Sequence, residues 1–303
     1  MTNRPESAPP ATAPVVLPEG SALDRLSGLL TQFRVHAHLF HAGPLCGVTH
    51  FDAQPGRGFL HVLRRGHMVF CHYDGSGVSE RIVVDEPTLL FYPRPLEHRF
   101  HNAPVEGSDF VCATLDFEGG MLHPLVRALP PLLVLPLSAV HGLEHTLTLL
   151  FAETERVRCG QRLLAARLFD VLLVQLLRWM LDHPQQGTAA PGLLLGLSDA
   201  RIARTLVALH EQPGEPWTLA AMARQAGMSR SAFAPCFKSL LGVTPADYLA
   251  RWRVALACKM LRDGRAVKFI ADALGYATAS SLSRAFTQET RCSPRAWLQS
   301  QRA

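Results

Sequence analysis

The sequence predicts an α+β chain in two parts: a small antiparallel β-barrel followed by helices, then an all-α part carrying two helix-turn-helix units. Three observations predict it. Between Val35 and Phe117 short apolar or alternating runs are separated by turn residues, the pattern of a sandwich or small barrel. From Ser138 onward apolar residues recur at helical spacing. Charge also divides the chain: residues 195–303 hold 15 Lys and Arg against 7 Asp and Glu, a net of +8, whereas residues 1–194 hold 15 Arg, no Lys and 18 Asp and Glu, a net of −3. The basic part is the candidate polyanion binder.

A length of 303 residues suits about two domains, and 48% hydrophobic with 18% charged residues is a globular composition. The most apolar run, Leu168 to His183, is interrupted by Asp170, Gln175, Arg178 and Asp182, whereas a spanning helix needs about 20 nearly uninterrupted apolar residues. No membrane partner is expected. The first residues lack the basic start and apolar run of a signal peptide, so the expected location is the cytoplasm. Seven cysteines without CxxC spacing suggest reduced thiols, not a disulfide or zinc framework.

In chain order, residues 1–20 are rich in Pro and Ala without a period, which predicts a disordered leader. The barrel unit is expected over 21–135, with strands in 60–73, 81–93, 98–104 and 110–117 and turns at residues 54–58, 74–77 and 93–97. Over 136–183 two helices are expected. The first places Val140, Leu143, Leu147, Leu150 and Phe151 on one face, and the second runs from about Gln161 to His183. The second is apolar nearly all round, with Leu164, Leu168, Val171, Leu172 and Leu176 on one stripe and Phe169, Leu173, Leu177 and Met180 beside it. Such a helix must be buried on several sides, which predicts a homodimer paired through this segment; enclosure by its own barrel is the alternative. Residues 184–194 read as a linker and 195–303 as the helical unit.

Within 218–242, Leu219, Met222, Ala223 and Ala226 form the inner stripe of a short helix, Gly227 supplies a turn, and Ser229 caps a second helix whose Phe233 and Phe237 point inward together. That is a helix-turn-helix, whose second helix is free to enter a major groove. The grammar recurs over 267–290, with Ile270, Ala271 and Leu274 inward, Gly275 at the turn, and Leu282 and Phe286 four apart. Between them a helix of about 17 residues would span roughly 25 Å, enough to set two recognition helices into successive major grooves of DNA, about 34 Å apart.

The run Gly227-Met228-Ser229, Ser231, Phe233, Phe237-Lys238, then Gly242-Val243-Thr244-Pro245, Tyr248-Leu249, Arg253, Ile270-Ala271, Leu274-Gly275-Tyr276, Ser281 to Phe286 and Cys292-Ser293-Pro294 resembles the AraC/XylS family of bacterial transcription regulators. The resemblance covers about a third of the chain. It implies contacts to double-stranded DNA from Arg230, Ser231, Ala234, Pro235 and Lys238 in the first recognition helix, and from Ala279, Ser280, Ser283 and Arg284 in the second. It implies RNA polymerase as a further partner if the protein activates. Two positions depart from the pattern. Pro235 stands where relatives often carry Arg or Gln, and a helix-interior proline costs about 3 kcal/mol unless the helix bends. Arg291 stands where a Gly usually ends the second recognition helix, so a different cap or a left-handed arginine is expected.

The first half resembles the cupin-type effector domain of a branch of this family, through residues 59–66, 89–100 and 111–117. That implies a sensor for a small molecule or an oxidant. Nine of the 14 histidines fall between His36 and His101, and His61 and His98 lie where cupin-like motifs place ligands. The usual His-x-His pair with a following Glu is missing, so pocket-lining or structural roles are the main reading, and no metal or cofactor is assigned. Cys46 and Cys112 lie in settings that resemble those around cysteines of reactive-chlorine-sensing members. Cys112, on an apolar strand, also reads as core packing, which leaves Cys46 as the better thiol candidate.

The main reading is a one-component transcription regulator without catalytic residues. The alternatives are a cupin-like metalloprotein or enzyme with a DNA-binding tail, and a ligand-free structural DNA binder.

Overall fold

A computed structural model of the chain describes residues 23–73, 77–102, 107–184 and 191–300. The expected leader, the turn at 74–76, the end of the strand expected over 98–104 and most of the expected linker lie outside the described residues.

Among the described residues, a short helix α1 (Ser27–Gln32) is followed by nine antiparallel strands in two sheets. One sheet has the order β1 (Val35–Leu45), β8 (Ser108–Phe117), β3 (Arg57–Arg65), β6 (Thr88–Tyr92), β9 (Leu133–Pro136), and the other β2 (Val48–Phe51), β7 (His98–Asn102), β4 (Met68–His72), β5 (Arg81–Val84). The strand expected over 60–73 is a corner: it breaks at Gly66, whose φ is +109° and whose missing Cβ would lie 2.6 Å from Ser108 Oγ. Beyond the break the chain changes sheet. The same happens between β5 and β6 within 81–93. β9 and the short helix α2 (Pro124–Ala128) were not foreseen, since neither carries a clear period.

Phe51, Phe59, Leu63, Phe70, Tyr92, Phe100 and Phe110 fill the space between the sheets. Leu60, Val62, Leu89, Phe91, Val111 and Leu115, on the opposite face of the larger sheet, join the core that continues under the helices. β3 and β6 are therefore buried on both faces, which is why their sequences read as nearly unbroken apolar runs.

Helices α3 (Glu144–Thr154) and α4 (Gln161–Asp182) pack on each other, and α4 crosses β1. Phe169, Leu172, Leu173, Leu176 and Leu177 are buried within the chain itself. The apolar residues left open are Leu149 on α3 and Leu163, Leu164 and Val171 on α4. Much of the surface expected to need a second subunit is thus satisfied by the chain's own barrel and α3, and a narrower stripe remains.

The C-terminal part holds α5 (Leu193–Ser198), α6 (Ala200–Glu211), α7 (Leu219–Gln225), α8 (Arg230–Leu241), α9 (Pro245–Arg262), α10 (Val267–Ala273), α11 (Ala279–Thr290) and α12 (Pro294–Ser300). Five of these starts are fixed by side chains: Asp199 caps α6, Thr218 α7, Ser229 α8 and Thr244 α9, and Thr278 with Ser281 forms a capping box on α11. Each cap satisfies otherwise orphaned N–H groups and is worth about 1 kcal/mol.

Candidate nucleic-acid interface and sensor core

α7 and α8 meet at Gly227, and α10 and α11 at Gly275, both left-handed, with φ of +66° and +71°. In the first unit Met222, Ala223 and Ala226 pack under Phe233 and Phe237; in the second Ile270, Ala271 and Leu274 pack under Leu282 and Phe286. α9, 18 residues long, spans about 27 Å between them. Arg253 on α9 ties the units together. Its Nε donates to Pro213 O at 2.7 Å, its Nη2 to Glu215 O at 2.9 Å, and its guanidinium lies 5.5 Å from the Tyr276 ring centroid. Gly275 is required here, because a Cβ would sit 2.2 Å from Gly214 O.

On α8, Arg230, Ser231, Pro235 and Lys238 are exposed. The helix runs unbroken through Pro235. Ala234 is half-buried and lines a cleft with Leu249 and Ala285, so it faces the second unit as much as solvent. On α11, Ser280 and Arg284 are exposed, while Ala279 and Ser283 are half-buried and the Ser283 hydroxyl donates to Ala279 O at 2.9 Å. Arg284 shares a shallow groove with Ser283, Thr287, Gln288 and Arg291. Thr287 and Gln288 were missed by the sequence reading, although their positions three and four residues after Arg284 place them on its face. Arg291 adopts the left-handed conformation expected of the missing glycine, φ +64°, with its N–H on Thr287 O.

In the barrel, His61 and His98 are fully buried and their Nε2 atoms are 3.0 Å apart. His98 Nδ1 donates to Leu96 O at 2.8 Å, so in the neutral ring Nε2 is the acceptor and His61 Nε2–H the donor. This leaves His61 Nδ1 as a buried lone pair without a hydrogen-bond partner. Burial holds the His98 pKa down to about 3 and that of His61 well below the usual value, with each further depressed by a neighbouring histidine. His72 Nδ1 donates to Ser79 O and its Nε2 accepts from the Tyr92 hydroxyl. Tyr92 and Phe51 both stack on His98, with ring centroids 4.1 and 4.8 Å from its own. The two imidazoles that the sequence singled out do converge. Among the described residues, however, the one group of three metal-type donors is His50, Asp52 and Glu97, which contains neither member of the pair and includes two exposed side chains.

Cys112 is completely buried between His61 and His41 in the sheet register. Burial pushes its thiol well above the usual range, so the thiolate that redox chemistry needs is disfavoured and the residue acts as packing. Cys46 is exposed at the β1–β2 turn.

The two halves touch. Phe33 meets Trp252 edge-on at 5.0 Å, Lys259 Nζ donates to Gln32 O at 2.6 Å, and Arg25 Nη1 to Leu197 O at 3.0 Å. Arg127 on α2 reaches Glu289 on the second recognition helix at 2.6 Å, and Arg251 approaches the other oxygen of that carboxylate at 3.6 Å.

A sensor-type barrel joined to paired helix-turn-helix units with a basic outer face defines the class: a DNA-binding regulator carrying its own sensor. Known proteins agree. A cupin family model matches residues 24–182, and a helix-turn-helix domain model matches residues 222–300. An AraC-like transcription regulator of Streptomyces lividans is 31% identical over 293 residues, 87% of this chain and 94% of its own length. Another from Streptomyces antibioticus is 35% identical over 173 residues, 56% of each chain. The RCS-specific transcriptional activator RclR of Escherichia coli is 27% identical over 213 residues, 68% of this chain and 73% of its own. The chain belongs to the AraC family of transcription regulators, in the branch with an N-terminal cupin domain, and binds DNA sequence-specifically through its helix-turn-helix domain.

Proposed function

We propose that the barrel unit, residues 21–135, senses a small molecule or an oxidant and controls how the helical unit, residues 195–303, engages DNA, with 136–183 serving to pair two subunits. The observation that carries this reading is the Arg127–Glu289–Arg251 cluster, because it ties the sensor half directly to the second recognition helix. On DNA, Arg230, Lys238, Arg284 and Arg291 meet phosphates or guanine edges. Ser231 and Ser280 make shorter polar contacts, and Ala279, Ser283, Ala234 and Pro235 shape the surface. Selecting bound duplexes from a random pool tests this. Two conserved elements about 10 base pairs apart are expected; a single element would leave one unit without a role in base reading.

The chain acts in the cytoplasm, without catalytic activity, and contacts RNA polymerase where it activates. The exposed stripe of Leu163, Leu164 and Val171 fits a homodimer. Val171→Glu should give a folded monomer by light scattering; a wild-type protein already monomeric at micromolar concentration would contradict the pairing. The oxidant class enters through RclR, whose name marks it as RCS-specific; exposed Cys46 is the thiol placed to serve it, and Cys46→Ser should abolish any response to hypochlorite while leaving DNA binding intact.

A further inference from the structure

Among the described residues, strand β2 is an edge of the smaller sheet and is paired with β7 alone, with Phe51 opposite His98 and His50 opposite Arg99. Strand alternation sorts the side chains. Phe51 and His98 point inward and stack, with ring centroids 4.8 Å apart and planes 14° from parallel. His50 and Asp52, one residue to either side of Phe51, are exposed on the outer face, and Glu97, the residue before His98, is half-buried beside them. One donor atom from each of these three side chains lies within 4.8 Å of the other two, and His50 Nδ1 is 3.8 Å from Glu97 Oε1. The donors of a tetrahedral zinc site, each about 2.0–2.1 Å from the ion, stand about 3.3 Å apart. Side-chain rotation alone closes the set.

Two features set these donors apart from a chance surface cluster. The backbone that carries them is fixed from inside, because His98 Nδ1 donates to Leu96 O at 2.8 Å and the Phe51–His98 stack holds the residues that lie between the donors. The neighbouring cation is also diverted. Arg99 approaches Glu97 Oε1 only to 4.0 Å, since its guanidinium lies 4.9 Å from the Tyr73 ring centroid and donates to the Tyr73 hydroxyl. Two carboxylates therefore converge on an imidazole without a close guanidinium, an arrangement whose mutual repulsion a bound cation relieves.

We propose that His50 Nδ1 and one carboxylate oxygen each of Asp52 and Glu97 hold a divalent transition-metal ion, zinc by preference, with water completing the coordination. Magnesium and calcium take oxygen donors, so the imidazole selects against them. Copper(II) favours a square-planar set, whereas three protein ligands with one open position give the tetrahedral geometry that zinc accepts. The ion ties the end of an edge strand to the turn ahead of β7, immediately outside the Phe51–His98 stack.

Calorimetry with zinc and absorption spectroscopy with cobalt(II), on the full chain without an affinity tag, test the site. Zinc should bind at one ion per chain with micromolar or tighter affinity, and excess magnesium or calcium should not displace it. His50→Ala and Asp52→Asn, both at exposed side chains, should each weaken binding at least tenfold while the metal-free proteins melt as the wild type does. Should either variant melt lower, Glu97→Gln supplies the same test. Arg99→Gln should strengthen binding severalfold, because the competing cation is gone. His101→Gln, at an exposed histidine opposite Val48 on the outer face of β7, should leave it unchanged. Cobalt(II) should give the visible bands of a tetrahedral site without the near-ultraviolet thiolate absorption that a cysteine ligand would add. No saturable zinc binding, binding that survives the donor variants, loss of binding in His101→Gln, weaker binding in Arg99→Gln or thiolate absorption would each overturn the site.

Discussion

In residues 193–300 nearly every buried side chain is apolar, with Thr205 and His210 as the exceptions among the described residues, and Arg230, Lys238, Arg284 and Arg291 stand outside. In residues 24–182 the core also takes in His61, His72, His98, His123 and Glu153. The first arrangement leaves charge free for a polyanion. The second uses neutral imidazoles as hydrogen-bonding core residues, which ties the sensor half to conditions that keep them neutral. The two halves differ too in what sets their geometry: caps and glycine turns within a few residues in one, strand pairings across tens of residues in the other.

The largest effect expected from this contrast is at a turn of the DNA-binding half. Gly275→Ala sets a Cβ 2.2 Å from Gly214 O and adds left-handed strain, so it should cost about 3 kcal/mol or more and disable the second unit. Gly227→Ala meets nothing closer than an Arg204 nitrogen at 3.7 Å and should cost only the strain, about 1–2 kcal/mol. Thermal denaturation of the two variants checks the difference; equal losses would mean that the close approach to Gly214 relaxes freely.

A second effect separates the halves by acid. Folding holds His98 and His123 at pKa values of about 3 and 4, with His61 and His72 also lowered, against one such ring, His210 at about 3, in the other half. The unfolded chain therefore takes up more protons below its histidine pKa of about 6.5. The contribution of these rings is complete above about pH 6.5 and is lost as pH falls towards 4 and 3, by up to about 1.4 kcal/mol per ring per pH unit. Hydrogen exchange at pH 7 and pH 5, corrected for intrinsic rates, should show the barrel losing more protection than α5 to α12. Equal loss would remove the distinction.

Smaller effects lie on the exposed face. Arg284→Ala should weaken operator binding by about 1–3 kcal/mol if the guanidinium makes a bidentate base contact, measured by fluorescence anisotropy. Arg291→Gly should raise stability by about 1 kcal/mol by relieving the left-handed arginine, while binding DNA slightly more weakly; lower melting temperature would show that the arginine side chain holds the helix end.

The helix-turn-helix units were legible because their signals are local. Phe233 and Phe237, Gly227, and Ser229 announce inner face, turn and cap within about ten residues of one another, and the structure places all of them accordingly. Arg291 was read correctly as an anomaly, for the same reason. In the sensor half, His61 and His98 were singled out, but their contact joins residues 37 apart and depends on β3 and β7 lying in opposite sheets, which no local pattern encodes. The corner at Gly66 was read through, since its only local sign is the short polar run Arg64 to His67 between two apolar stretches. Leu172 and Leu176 were placed at a subunit interface because a helix apolar all round states only that it is covered, not by what. The Arg127–Glu289 pair, 162 residues apart, left no signal in the sequence.

The central claim is that the basic outer face of the last third of the chain meets DNA phosphates through both recognition helices. It is tested most directly by the salt dependence of duplex binding for the full chain, wild type beside the Arg230→Ala, Arg284→Ala double variant. Each phosphate neutralised contributes a slope of about −0.9 to the plot of log affinity against log salt. The account predicts a wild-type slope steeper than about −3 and a double variant shallower by about 2. A wild-type slope near zero, or one unchanged by the two substitutions, would contradict it.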